Sequence, residues 1–102
     1  GEFYSVPEEF SKALRRVAVV SGYDAECWIE FNQGEMYVQG NQDGGSAQIE
    51  ETFYVSDTQE DLSVKVNPRL LLVASEGCES MYAVDRCMLF MSNNSKHLVA
   101  NL

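Results

Sequence analysis

DLSVKVNPRLLLVA, residues 61–74, changes its hydrophobic period half-way along. Leu62, Val64 and Val66 alternate with Ser63, Lys65 and Asn67, the period-two pattern of a strand with one buried face. Asn67 then carries the side chain of a helix N-cap, able to accept from the free amides of the next turn. Pro68 stands at the first helical position, where no N–H is needed. Leu70, Leu71, Val73 and Ala74 supply an apolar helix face. The stretch is a strand joined to a helix through a defined hinge.

The amino-terminal end repeats this arrangement. Residues 2–6 read as a short strand, and Pro7 opens a helix over residues 7–20 whose buried stripe is Phe10, Leu14 and Val17. Ser5 and Glu8 have capping-box spacing. Ser21-Gly22 ends the helix, Gly being the usual left-handed terminator. Three strands are expected next. Over residues 26–32, Cys27, Ile29 and Phe31 fall on one side, with Trp28 and Glu30 on the other. Gln33-Gly34 is a hairpin turn, and residues 35–39 continue with Met36 and Val38 inside. NQDGG, residues 41–45, is a second turn; residues 47–55 form the third strand, and the polar residues 56–60 connect to the second unit. There the helix ends near Gly77. Strands follow at residues 80–84 and 87–91 around a tight turn at Asp85-Arg86, then a turn at NNSK (93–96) and a final strand at 97–102. The order is β-α-β-β-β twice, over about residues 2–57 and 61–102. Helices segregated onto one face of antiparallel strands predict an α+β fold. A chain of 102 residues supports one core, so residues 1–102 are expected to form a single domain.

Seven Lys and Arg against 16 Asp and Glu give a formal net charge of −9. Taken alone, that charge argues against nucleic acid, because phosphate binding wants cations. No run approaches the roughly 20 apolar residues of a membrane span, so no membrane association is expected. No secretory signal pattern is legible. Cys27, Cys78 and Cys87 are odd in number and widely spaced, with no Cys-x-x-Cys, so no zinc site is expected. They read as buried, reduced thiols of an intracellular protein.

An enzyme needs a convergent set of reactive groups, and none has usable spacing here. The chain is therefore expected to be non-enzymatic, without cofactor or metal. His97, the single histidine, reads as a solvent-facing or hydrogen-bonded strand residue. Glu8-Glu9 and Glu50-Glu51 read as solvated surface. Asp43-Gly44-Gly45 lies between strands and is a turn, not a phosphate loop. Asn93-Asn94-Ser95 fits a glycosylation triplet only by chance, given no secretory signal. One pattern stands out. On the first helix Phe10, Leu14, Val17 and Ser21 share a face, and Lys12, Arg15 and Arg16 cluster with Val19 on the other. Three of the seven Lys and Arg thus crowd one helical surface of an acidic chain. Such a surface is either a solvated helix face or a positive patch aimed at phosphate.

These residues resemble a single domain of the DNA polymerase sliding clamp, in particular the C-terminal domain of the bacterial DNA polymerase III β subunit. FSKALRRVAVVS, residues 10–21, is similar to the family's first helix with its Arg-x-Ala-x-x-Ser pattern. Residues 27–38 resemble its paired strands around a short turn. LSVKVNPRLLL, residues 62–72, is similar to its strand, Asn hinge and helix, and HLVANL, residues 97–102, to its terminal strand. Eukaryotic and archaeal clamps share the fold, and residues 4–10 are similar to one of their domain starts. The resemblance covers nearly the whole chain.

It implies a cytoplasmic, non-enzymatic processivity factor, or one domain of it, with an acidic outside and helices lining the hole of a ring. Lys12, Arg15, Arg16 and Arg69 are the residues it assigns to duplex DNA, held loosely and without sequence preference because phosphate contacts carry no sequence information. Leu70, Leu98, Ala100 and Leu102 match the family's apolar pocket for polymerase and clamp-loader peptides. Edge strands would pair with neighbouring clamp domains or with copies of this chain. Two departures are visible. Clamps are rings of six such domains, carried two or three per chain, and this chain has one. The family's terminal Met-Pro-Met-Arg-Leu is replaced by Ala100-Asn101-Leu102. The alternative expectation is a clamp-fold protein-interaction module that does not encircle DNA.

Overall fold

The computed structural model describes residues 2–22, 26–41 and 48–102. The elements run β1 (Tyr4–Ser5), α1 (Phe10–Ser21), β2 (Cys27–Asn32), β3 (Glu35–Asn41), β4 (Gln48–Tyr54), β5 (Leu62–Val66), α2 (Pro68–Ser75), β6 (Ser80–Val84), β7 (Cys87–Met91) and β8 (Lys96–Ala100). This is the expected α+β order, β-α-β-β-β twice. Most of the expected turn at residues 41–45 lies outside the described residues.

The hinge forms as its residues dictate. The Asn67 side chain accepts from the amides of Arg69 (2.8 Å) and Leu70 (3.2 Å), and Pro68 takes the first helical position. Gln33 and Gly34 adopt φ of 53° and 82° between β2 and β3, the left-handed pair of a tight hairpin. Gly22 follows α1 directly, as expected, and its amide bonds back to the Ala18 carbonyl at 2.7 Å.

The start of α1 differs from expectation. The helix begins at Phe10, not Pro7, and its N-cap, Glu9, makes no side-chain cap bond. Ser5 cannot cap it, because Ser5 is held in β1 opposite Ser80, and the next amide, that of Val6, donates to the Glu79 carbonyl at 3.0 Å. At the other end β8 stops at Ala100, two residues short of the expected strand. Asn101 stays beside the residue that precedes β7, its amide donating to the Arg86 carbonyl (2.7 Å), while its side chain reaches the other sheet and accepts from the Lys65 amide (2.6 Å).

The strands form two antiparallel sheets, ordered β4-β3-β2-β5 and β8-β7-β6-β1. The orders are equivalent when the two units are exchanged, and each unit lends its first strand to the other. β5 pairs with β2 (Ile29 opposite Val64), and β1 pairs with β6 (Tyr4 opposite Met81). Both helices pack against the inner faces and against each other. The alternating inner residues of both sheets meet the α1 stripe in one core, including Leu14, Val17, Ile29, Met36, Val64, Met88 and Phe90. Phe10 ties the sheets together, its ring lying 6.5 Å from Phe53 of β4 and 6.3 Å from Phe90 of β7. Burial of such a side chain stabilises by about 1.5–3 kcal/mol.

Two contacts fix the layers. A Cβ on Gly40 of β3 would meet Val17 Cγ1 at 2.6 Å, so α1 lies on β3 as closely as it does only because residue 40 has no side chain. Gln59, in the polar connector, is 4% exposed. Its Oε1 accepts from the Ala83 amide (3.0 Å) and from the Tyr4 hydroxyl, and its Nε2 donates to the Ala83 carbonyl (2.8 Å). One carboxamide thus supplies β6 with a strand-like partner beyond the short β1.

Gly40→Ala should cost about 1–3 kcal/mol in urea unfolding through overpacking, and less in a Val17→Ala background, where the two sites couple. Gln59→Leu should cost about 1–3 kcal/mol by leaving the Ala83 backbone groups buried without partners. A neutral Gln59→Leu would mean that water replaces the carboxamide.

Candidate nucleic-acid interface

The 3.6-residue period of α1 buries Phe10, Leu14, Val17 and Ser21, and leaves Lys12, Arg15, Arg16 and Val19 exposed. On α2 Leu71 and Ala74 are buried, while Arg69, Leu70 and Val73 are exposed. A cleft of about 360 Å³ between the helices is lined by Ser11 and Arg15 of α1 and by Val73 and Ser75 of α2. The first half of α1 therefore lies beside the second half of α2, and the exposed stripes run side by side. The structure places the three α1 cations along one of these stripes and Arg69 on the first turn of the other.

Carboxylates reach this surface. Arg16 is held by Glu51 of β4 through two bonds, Nε–Oε2 at 3.0 Å and Nη2–Oε1 at 3.1 Å. That hydrogen bonding holds the Glu51 carboxyl below its ordinary value and raises the Arg16 guanidinium. Lys12 pairs with Glu9 at 3.7 Å across exposed side chains. Glu8, Glu76 and Glu79 border the inter-helix cleft. Arg15 borders both that cleft and an apolar hollow formed with Val19 and Val20. The local field is weaker than a count of cations suggests.

Glu51 corrects the expectation of a solvated Glu50-Glu51 pair. Alternation along β4 puts Glu51 opposite the buried Val38, on the helix side of the sheet, while Glu50 faces outward and accepts from Gln39 at 2.6 Å. The strand period carried this signal, but the partner lies 35 residues away.

The four pocket candidates are exposed rather than enclosed: Leu70 56%, Leu98 61% and Leu102 56%, with Ala100 also on the surface. Leu98 and Ala100 point away from the core, and Val99 between them points in. Leu102 is tied near the start of α2, its amide donating to the Lys65 carbonyl at 2.8 Å. His97 is exposed, its Nε2 lying 3.3 Å from Ser95 Oγ. The three cysteines are free; Cys27 is buried, its thiol pushed up to about 12 by desolvation, whereas Cys78 and Cys87 are only half-buried, against expectation. Among the described residues no group of three or more His, Cys, Asp or Glu is placed to hold a metal, and no helix is long and apolar enough to cross a membrane.

No family model and no curated protein matches the sequence. Solved structures do match. The DnaN sliding clamp (DNA polymerase III subunit β) of Pseudomonas aeruginosa, bound to griselimycin, aligns with all of this chain and 31% of its own at TM-score 0.78 and 18% identity. This chain has the sliding-clamp fold. The DnaN clamp of Bartonella birtlesii aligns with 100% of the chain and 30% of its own, at TM-score 0.79 and 18% identity. The β clamp of C. crescentus aligns with 98% and 29%, at TM-score 0.78 and 19% identity. The chain spans under a third of the length of these clamps.

The Arg16–Glu51 pair has a pH signature. Because the Glu51 carboxyl is depressed in the folded state, its contribution is present above the ordinary value of 4.5 and is lost as pH falls through the lower folded value. Glu51→Gln should therefore flatten the fall in melting temperature below pH ~4.5. An unchanged acid limb would mean that the pair adds nothing to stability.

Proposed function

We propose that this chain is a single clamp-like domain of two repeats that acts, within a ring, as a DNA polymerase processivity factor. The observation that carries this is the match of the whole chain to clamp domains, together with two helix stripes running side by side and bearing Lys12, Arg15, Arg16 and Arg69. Duplex DNA is held through phosphates, weakly and without sequence preference. Catalysis and cofactors play no part. The protein works in the cytoplasm, and polymerase or clamp-loader peptides dock on Leu70, Leu98, Ala100 and Leu102.

Ring assembly runs through edges. β4 and β8 each end a sheet, and an edge strand presents unpaired backbone groups to a neighbour. The opposite ends are occupied: Asn101 and Leu102 bond to Lys65 of β5, and Gln59 extends the short β1. β4 and β8 are therefore the edges assigned to neighbouring domains or copies.

One observation favours a protein-interaction module instead. Val19, Leu70 and Val73 are more than half exposed among the cations, and Lys12 and Arg16 already face carboxylates. A comparison of duplex binding at low salt separates the two readings. Lys12→Ala/Arg15→Ala/Arg16→Ala should abolish an affinity no tighter than ~10⁻⁴–10⁻⁶ M, and Lys65→Ala/Lys96→Ala should leave it nearly intact. Equal losses, or no binding even from domains tethered into a ring, would turn the assignment to the interaction module.

A further inference from the structure

The outer face of sheet β4-β3-β2-β5 lies opposite the face that α1 covers, and its composition is unusual. In register, Trp28 stands beside Gln39, which in turn stands beside Glu50; Glu30 stands beside Tyr37, and Glu35 beside Tyr54. Each of these three cross-strand rows thus carries one aromatic ring and one carboxylate, and the rings step diagonally from β2 through β3 to β4. Trp28 and Tyr54 are 42% and 63% exposed. Desolvation first, and then Glu35, Glu50 and Glu30, raise the Tyr37 phenol, and Glu35 accepts its hydrogen bond at 3.4 Å. Among the described residues Glu30, Glu35 and Glu50 have no cationic partner.

At one margin this face already holds an ammonium group. Lys65 Nζ sits 5.2 Å above the centre of the Trp28 ring and 3.3 Å from Glu26. That is the chemistry a cation seeks on such a surface: a ring face for its quadrupole and a carboxylate for its charge. The carboxylates are too dispersed to ligate one metal ion. The rings offer a regular track instead: Trp28, Tyr37 and Tyr54 lie on a diagonal, each one strand over and two residues along from the last, a step of about 8 Å that is close to the roughly 7 Å between alternate side chains of an extended peptide.

We propose that this face docks an extended basic segment of a partner protein, with Arg or Lys side chains lying over Trp28, Tyr37 and Tyr54 and paired to Glu30, Glu35 and Glu50. The assignment is independent of the DNA-binding reading, because the helix cations lie on the other side of the sheet.

Trp28 is the single tryptophan of the chain, so its fluorescence reports directly on the face. The probe is an eight-residue peptide of alternating Arg and Thr with blocked ends, titrated into the full chain at low salt. A saturable change in Trp28 emission is expected, weakening as salt is added. Glu30→Gln/Glu35→Gln/Glu50→Gln should weaken binding at least ten-fold with an unchanged melting temperature. Glu8→Gln/Glu76→Gln/Glu79→Gln removes the same charge elsewhere and should weaken it less than three-fold. Lys12→Ala/Arg15→Ala/Arg16→Ala should not weaken it. Equal losses from the two glutamate triples, or no response from the unaltered chain, would overturn the proposal. So would a concentration-dependent Trp28 shift without peptide that the first triple abolishes, since the occupant would then be a second copy.

Discussion

The structure depends on the chain turning sharply at Asn67-Pro68. Before that point β5 belongs to the sheet of the first unit; after it, α2 belongs to the helix layer beside α1. The turn leaves the first amides of α2 without helical partners, and the Asn67 carboxamide takes two of them. Pro68 removes a third by having none. With the hinge set, Val64 and Val66 face one side of the core while Leu71 and Ala74 close it from another. A looser connection would let either element bury its apolar side without the other.

The sheets are finished by side chains as much as by strands. Gln59 follows β4 and closes β6; Asn101 follows β8 and closes β5. Both carboxamides follow the last strand of their unit but serve different strands: Gln59 bonds β6 beyond the short β1, and Asn101 bonds the lent strand β5 itself. Buried backbone groups need such partners. The consequence is an asymmetry between ends of each sheet. One end is sealed within the molecule, and the other, β4 or β8, is left to the surroundings.

The legible parts of the fold were those whose signal is local. The cap at Asn67, the Gln33-Gly34 turn and the alternation of β2 each rest on residues within one or two turns of one another. The exchange of β1 and β5 rests on pairing between distant residues, and no periodicity records which sheet a strand joins. The start of α1 departs from its local signal for the same reason. Ser5 has the residue type and spacing of a cap, but its distant neighbour Ser80 claims its backbone. The candidate interface divides likewise. Its cations were visible at helical spacing, while Glu51, which takes up Arg16, and Gln59, a polar residue in a polar run, depend on contacts that only the assembled fold creates.

Lending strands between units also orders events on the ribosome. The first unit emerges with α1 and the β2–β4 hairpins, yet the open edge of β2 waits for β5, which follows the connector. β1, made before β6, has no sheet to join until β6 follows. Neither half can be completed by local contacts, so closure waits on pairings of large sequence separation, the slow kind. The nascent chain must therefore hold a growing apolar sheet open for its second half. The turn at Asn67-Pro68 is the place where synthesis passes from needing a partner to providing one.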